Sequence, residues 1–341
     1  MASTTVPKAV LYHSPHSVWS SAVLLALEEK GYAEDEVDLK LVDLAKGENF
    51  SVSFLRLNLK GTVPTLVVPF KDSLSDDVES RYKAVTDPRA IVNLLDQSRS
   101  PLSRTRTTST APAPSLAPAT VAFSTTSNAL LDILHAEAVS PDALTLINAR
   151  DSASLKTLAS KILPQLVGRQ KALKECISEA EAGKIQASEK VKKFWRDKEA
   201  EMAVLLAVLG AADKEESALD SDEKAKRAEF FAKATGAWNA VKDALVKVNK
   251  ELIGPYALGD QLSLVDISLA AWVRSVVLLA GAAPGDDGST AVGKLEGFVG
   301  IGLPKDFQVV DVRRQETAAV SKLGGFWDAM SERASWKKTF V

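Results

Sequence analysis

At 341 residues the chain is long enough for two domains of ordinary size, each with its own core. With 42 Lys and Arg against 44 Asp and Glu, no net field draws it to nucleic acid or to an anionic membrane. One cysteine excludes an internal disulfide or a CxxC redox pair, and three histidines beside it are too few for a zinc site, so no metal is expected.

The first ten residues, MASTTVPKAV, lack an apolar h-region, and no window reaches about 18 uninterrupted apolar residues. Neither a signal peptide nor a membrane span is expected, and a reducing, cytoplasmic setting fits the single Cys176. Ala9 to Tyr12 is a short apolar run ended by Ser14-Pro15. Val18 to Lys30 then carries Val23, Leu24 and Leu27 before Gly31, a strand followed by a helix with a C-terminal glycine. Val37 to Val42 alternates at period two and is a second strand. Leu66 to Phe70 is a third, opened by Pro64, whose missing N–H places it at an edge, at a first position or in a cis turn. The cis option would turn the Val63 main chain outward to pair with an extended peptide.

The acidic stretch Lys71 to Asp77 reads as a long loop and Arg81 to Val85 as the last strand. Asp87-Pro88 has the form of an N-cap followed by a first-turn proline, opening a helix through Leu95. Ser98 to Ser127, rich in Ser, Thr, Pro and Ala, reads as an extended linker in which Arg99, Arg104 and Arg106 are solvated. Domains are therefore expected over 1–98 and 128–341, with the linker at 99–127.

Beyond the linker the pattern is helical. Leu155, Leu158, Ile162, Leu163 and Leu166 form one stripe, with a kink expected at Pro164; Trp195, Met202, Leu205 and Leu209 form another, and Trp238, Val241, Leu245, Val248 and Leu252 a third. In Gly259-Asp260-Gln261-Leu262-Ser263-Leu264-Val265-Asp266, Ser263 and Asp266 stand three apart as a capping box. The helix it opens is apolar nearly all round to Leu279, which marks it as buried.

Two of these stretches together resemble one family. Gly47-Glu48, a short helix over Phe50 to Leu57, Asn58-Leu59-Lys60-Gly61 and Val63-Pro64 resemble the thioredoxin-like half of the glutathione transferases, with Leu59 where proline is usual. Gly259 to Asp266 resembles the buried capping motif of their helical half. The resemblance implies an α/β thioredoxin-like N-terminal domain followed by an all-α C-terminal domain, here enlarged by residues from about 130 to 235 and by Gly281 to Lys305. It implies conjugation of the glutathione thiolate, as co-substrate, to small hydrophobic electrophiles, and a homodimer.

The site residues follow from the same resemblance. Val63 and Pro64 would hold the cysteinyl part of glutathione and Asp87 its ammonium group. Pro88 stands where a Ser hydroxyl is usual and leaves the γ-glutamyl carboxylate to Arg89. Arg56 and Lys60 are candidates for the glycine carboxylate, with a solvated surface as the alternative. Ser17 would stabilise the thiolate, although a serine there serves equally as the N-cap of the first helix, and Ser14 and Tyr12 stand close by. A ligand-binding or scaffold protein that kept the fold and lost turnover is the alternative function.

Overall fold

The computed structural model describes residues 8–69, 82–100, 107–311 and 316–340. The acidic stretch over 71–77, Arg81, Arg104 and Arg106 lie outside the described residues. The elements in order are β1 (Ala9–His13), α1 (Val18–Glu29), β2 (Val37–Leu41), α2 (Val52–Leu57), β3 (Thr65–Pro69), β4 (Tyr82–Val85), α3 (Pro88–Ser98) and α4 (Val121–Leu134). There follow α5 (Pro141–Ile147), α6 (Ser152–Glu181), α7 (Glu189–Gly210), α8 (Ser221–Glu251), α9 (Leu264–Leu279) and α10 (Gly288–Val299). The chain closes with β5 (Phe307–Asp311), β6 (Glu316–Val320), α11 (Lys322–Ser331) and α12 (Ala334–Thr339).

Two compact units form, and neither follows chain order. The first takes residues 1–17, 34–87 and 146–235. Its sheet runs β2-β1-β3-β4, with β1 parallel to β2 and antiparallel to β3, and β3 antiparallel to β4. Leu11 of β1 lies opposite both Leu39 and Leu66, and Leu11 and Leu66 are buried. The long helices α6 and α7 pair along their leucine stripes, and α6 continues through Pro164. Phe50 and Leu55 enter the same core as Leu155, Leu166, Leu173 and Trp195. The Trp195 indole N–H donates to the Phe50 carbonyl at 2.8 Å, so the α6–α7 pair, expected as an addition to the helical half, is built around the segment just before Val63.

The second unit takes residues 18–33, 88–145 and 236–341. At its centre α9 buries eleven of its sixteen residues and leaves none fully exposed, as befits an apolar helix. The expected capping box is formed: Asp266 accepts from the Ser263 N–H at 2.7 Å and the Ser263 hydroxyl at 2.6 Å, and additionally from the Ala257 N–H at 2.7 Å.

The stretch read as a solvated linker departs from that reading at its described residues. Arg99 is buried and donates to the carbonyls of Lys30 and Ala111. Lys30, wholly buried, pairs with Asp96 at 2.8 Å, and Asp96 also accepts from the Leu116 N–H. Composition missed this because Lys30 and Asp96, which fix the segment, lie outside it in sequence. The strands β5 and β6 pair antiparallel and add a two-stranded sheet to the helical half, which the sequence reading did not include. Gly325 admits it: a Cβ there would lie 2.5 Å from the Phe307 ring.

Burial lifts the Asp266 carboxyl to about 6 against the hydrogen bonds that oppose it. The folded protein therefore holds a proton that the unfolded chain releases near pH 4, and the stability this proton brings is full below that point and lost as the pH rises through about 6. The unfolding free energy of the native chain relative to Asp266→Asn should fall by on the order of 3 kcal/mol between pH 4 and pH 7. Denaturant titrations at intervals across that range check it, and parallel curves would contradict it.

Candidate functional site

The first unit brings Ser17 and Val63 together, 46 residues apart in sequence. Ser14 to Ser17 form a turn closed by the Ser17 N–H donating to the Ser14 carbonyl at 3.1 Å, with Pro15 in the second position. This turn carries the chain from β1 to the residue before α1 and presents the Ser17 hydroxyl inward, where it donates to the Val63 carbonyl at 3.2 Å. Ser14, Ser17 and Val63 are all buried.

The Val63 main chain is fixed from its own side. The Asn58 side-chain amide donates to the Thr62 carbonyl at 2.8 Å and reaches the hydroxyls of Thr62 and Thr65 at 2.9 and 3.1 Å. Thr65 returns its hydroxyl to the Thr62 carbonyl at 3.0 Å, and the Asn49 amide donates to the Gly61 carbonyl at 2.8 Å. Asn49, Asn58 and Thr65 are buried, so these amides and hydroxyls take the place of a sheet ladder. Gly61, at φ +62°, is required twice over: it turns left-handed, and a Cβ would meet the Phe194 ring at 2.7 Å.

The Val63–Pro64 bond is cis, the option the sequence left open. Val63 packs with Val42, Phe54, Leu44 and Tyr12. Its carbonyl takes the Ser17 hydroxyl, and its N–H finds no acceptor among the described residues. A ligand amide meeting that carbonyl would therefore compete with a hydroxyl that can rotate.

The remaining candidates are placed as follows. Tyr12 sets its ring edge-on to Phe54 at 5.8 Å, with the Lys40 ammonium 5.5 Å from the ring centre. Asp87 is exposed, one residue before α3, and Arg56 and Lys60 are exposed on and just after α2. Arg89 belongs to the second unit, where its guanidinium meets the Asp132 carboxylate at 2.6 Å. His13, at the end of β1, escaped the sequence reading. Burial pushes its imidazole below the ordinary value, so it is neutral at pH 7, and its Nδ1 has no partner among the described residues. Only the strand alternation around Leu11 could have pointed to it.

Among the described residues no group of His, Cys, Asp and Glu could hold a metal ion, and no helix is long and apolar enough to cross a membrane.

Residues 16–98 match the family model described as glutathione S-transferase, N-terminal domain. No curated protein matches the chain. Among solved structures it is similar to beta-etherase LigF from Sphingobium sp. strain SYK-6, with 18% identity, 98% of this chain and 99% of that one covered, and a TM-score of 0.49. A glutathione S-transferase from Methylobacillus flagellatus with glutathione bound has 16% identity, coverage of 97% and 98%, and a TM-score of 0.46. Glutathione transferase Omega 3C from Trametes versicolor has 17% identity, coverage of 98% and 85%, and a TM-score of 0.45.

The two protons of the Asn58 amide are shared among three oxygens, so Asn58→Ala takes hydrogen bonds from a partly buried web. It should cost about 1 to 3 kcal/mol of stability. Urea unfolding reads this as a lower midpoint at unchanged slope; a midpoint equal to the native one would deny the web its role.

Proposed function

We propose, from the match of residues 16–98 to the glutathione S-transferase N-terminal domain, that this chain belongs to that superfamily, binds glutathione along the Val63 main chain and uses the thiolate. The observation that carries the reading is the meeting of Ser17 with Val63. A tripeptide lying along Val63 as an added strand would offer its amide to the carbonyl and its own carbonyl to the unpaired N–H. The Ser17 hydroxyl, released from the carbonyl, would then donate to the cysteinyl sulfur.

A free thiol titrates well above neutral pH, and a hydroxyl that donates to its anion lowers that value by stabilising the charge. Attack on a small apolar electrophile follows, with catalysis coming from the stabilised thiolate and from proximity. Asp87 would meet the ammonium group of glutathione, and Arg56 or Lys60 its glycine carboxylate. Pro88 supplies neither hydroxyl nor N–H, so the γ-glutamyl carboxylate has a weak receptor and affinity is expected below that of a full site. Arg89, which lines a cavity of the second unit, is left out of the set proposed for glutathione.

The division at 98 and 128, a cytoplasmic detoxifying role and a homodimer belong to the same reading. Light scattering at twice the chain mass supports the dimer, and a mass of one chain removes it.

A second reading, a binding or scaffold protein without turnover, is favoured by the occupied Val63 carbonyl and by Pro88. Retention on immobilised glutathione, with turnover of 1-chloro-2,4-dinitrobenzene that falls roughly 100-fold in Ser17→Ala while retention persists, is the outcome expected of the enzyme. Retention without turnover points to the scaffold, and turnover unchanged in Ser17→Ala removes the role given to Ser17.

A further inference from the structure

A cavity of about 260 Å³ lies wholly among residues of the second unit. Arg89 and Asn93 of α3, with Ser127 and Asn128 of α4, give it a polar wall; Val92, Leu131 and Leu264 give it an apolar one.

The polar wall is made of donors. The Asn93 Oδ1 already accepts from the Gln97 amide at 3.3 Å, which leaves its NH₂ group to serve a ligand. Ser127 is 3% exposed and lines the cavity, where its hydroxyl can serve an acceptor.

Arg89 is held by one contact, from Nη1 to Asp132, and the Asp132 side chain is 71% exposed. A pair so open to water is weak, and the guanidinium carries five N–H donors of which this contact uses one. Its planar fork fits the two oxygens of a carboxylate better than a single acceptor. The volume is below that of a drug-sized pocket, which limits the ligand to a small molecule.

We infer that this cavity binds a small organic monocarboxylate. Its head group sits on Arg89, Asn93 and Ser127, and its short apolar body lies against Val92, Leu131 and Leu264. The Asp132 carboxylate competes with the ligand for Arg89, and it disfavours a second negative charge on the ligand. None of these residues belongs to the set proposed for glutathione, so either site can fail alone.

Isothermal titration of the full chain with benzoate tests the inference, with benzamide and sulfate as controls. The expected result is saturable binding of one benzoate per chain in the millimolar range or tighter, at least tenfold weaker in Arg89→Gln and several-fold tighter in Asp132→Asn, with no saturable binding of benzamide or sulfate. Benzoate should bind Ser17→Ala as it binds the native chain, whether or not glutathione does. Absence of saturable binding, equal binding of benzamide, indifference to both α3 and α4 substitutions, or displacement of benzoate by glutathione would each overturn it. Should Arg89→Gln fail to fold by circular dichroism, Asp132→Asn decides: tightening sustains the inference and no change rejects it.

Discussion

The position of the Val63 main chain depends on a small set of buried amides and hydroxyls. Residues 58–65 belong to no helix and only reach the sheet at Thr65, so their carbonyls need partners from elsewhere. Asn58 serves three oxygens, Asn49 serves Gly61, and Thr65 closes the loop back on Thr62. Each of these side chains is too short to follow the backbone if it moved. The segment is therefore fixed to within a hydrogen-bond length, and Ser17 can meet it from another turn of the chain. The α6–α7 pair supports the same segment from outside, through the Trp195 indole on the Phe50 carbonyl and the Phe194 ring on Gly61. Packing and hydrogen bonding thus converge on a few residues of main chain, an arrangement suited to holding a peptide-like ligand.

The second unit is organised by buried charge. Asp266 sits at the start of the most buried helix with three donors on its carboxylate, and desolvation still outweighs them, so its proton is held to about pH 6. Lys30 and Asp96 form a buried ion pair in which Lys30 also donates to the Pro114 carbonyl and Asp96 also accepts from the Leu116 N–H. Breaking such a pair by removing one partner typically costs about 3 to 5 kcal/mol, because the other charge is left uncompensated. Its consequence is local order: the residues after α3 are tied back at Arg99, Ala111 and Leu116 instead of running free.

What the sequence disclosed depended on whether the cause was local. The strands at Leu11 and Leu66, the helix opened by Pro88, and the box at Ser263 and Asp266 are written in short-range patterns, and all of them form. The burial of Arg99 was not legible, because the groups that hold it, the carbonyls of Lys30 and Ala111, are main-chain groups that any residue carries. Nor was the placement of α6 and α7: their leucine stripes announced helices that pair, and nothing in a stripe tells that Phe50 will fill the gap between them. For the site, Val63 and Ser17 could be chosen from motif and spacing, but their meeting at 3.2 Å is a matter of tertiary structure. The direction of Arg89, toward Asp132, was equally beyond a reading of residue types.

We propose the Val63 main chain as the place where glutathione lies. Nitrogen-15 labelling of valine, with amide shifts followed during a glutathione titration of the full chain, addresses this at one atom. A saturable shift of the Val63 amide, larger than those of Val67 and Val68 further along β3, is what the account predicts. Glutathione that binds while the Val63 amide stays still, or no binding at any concentration reached, would contradict it.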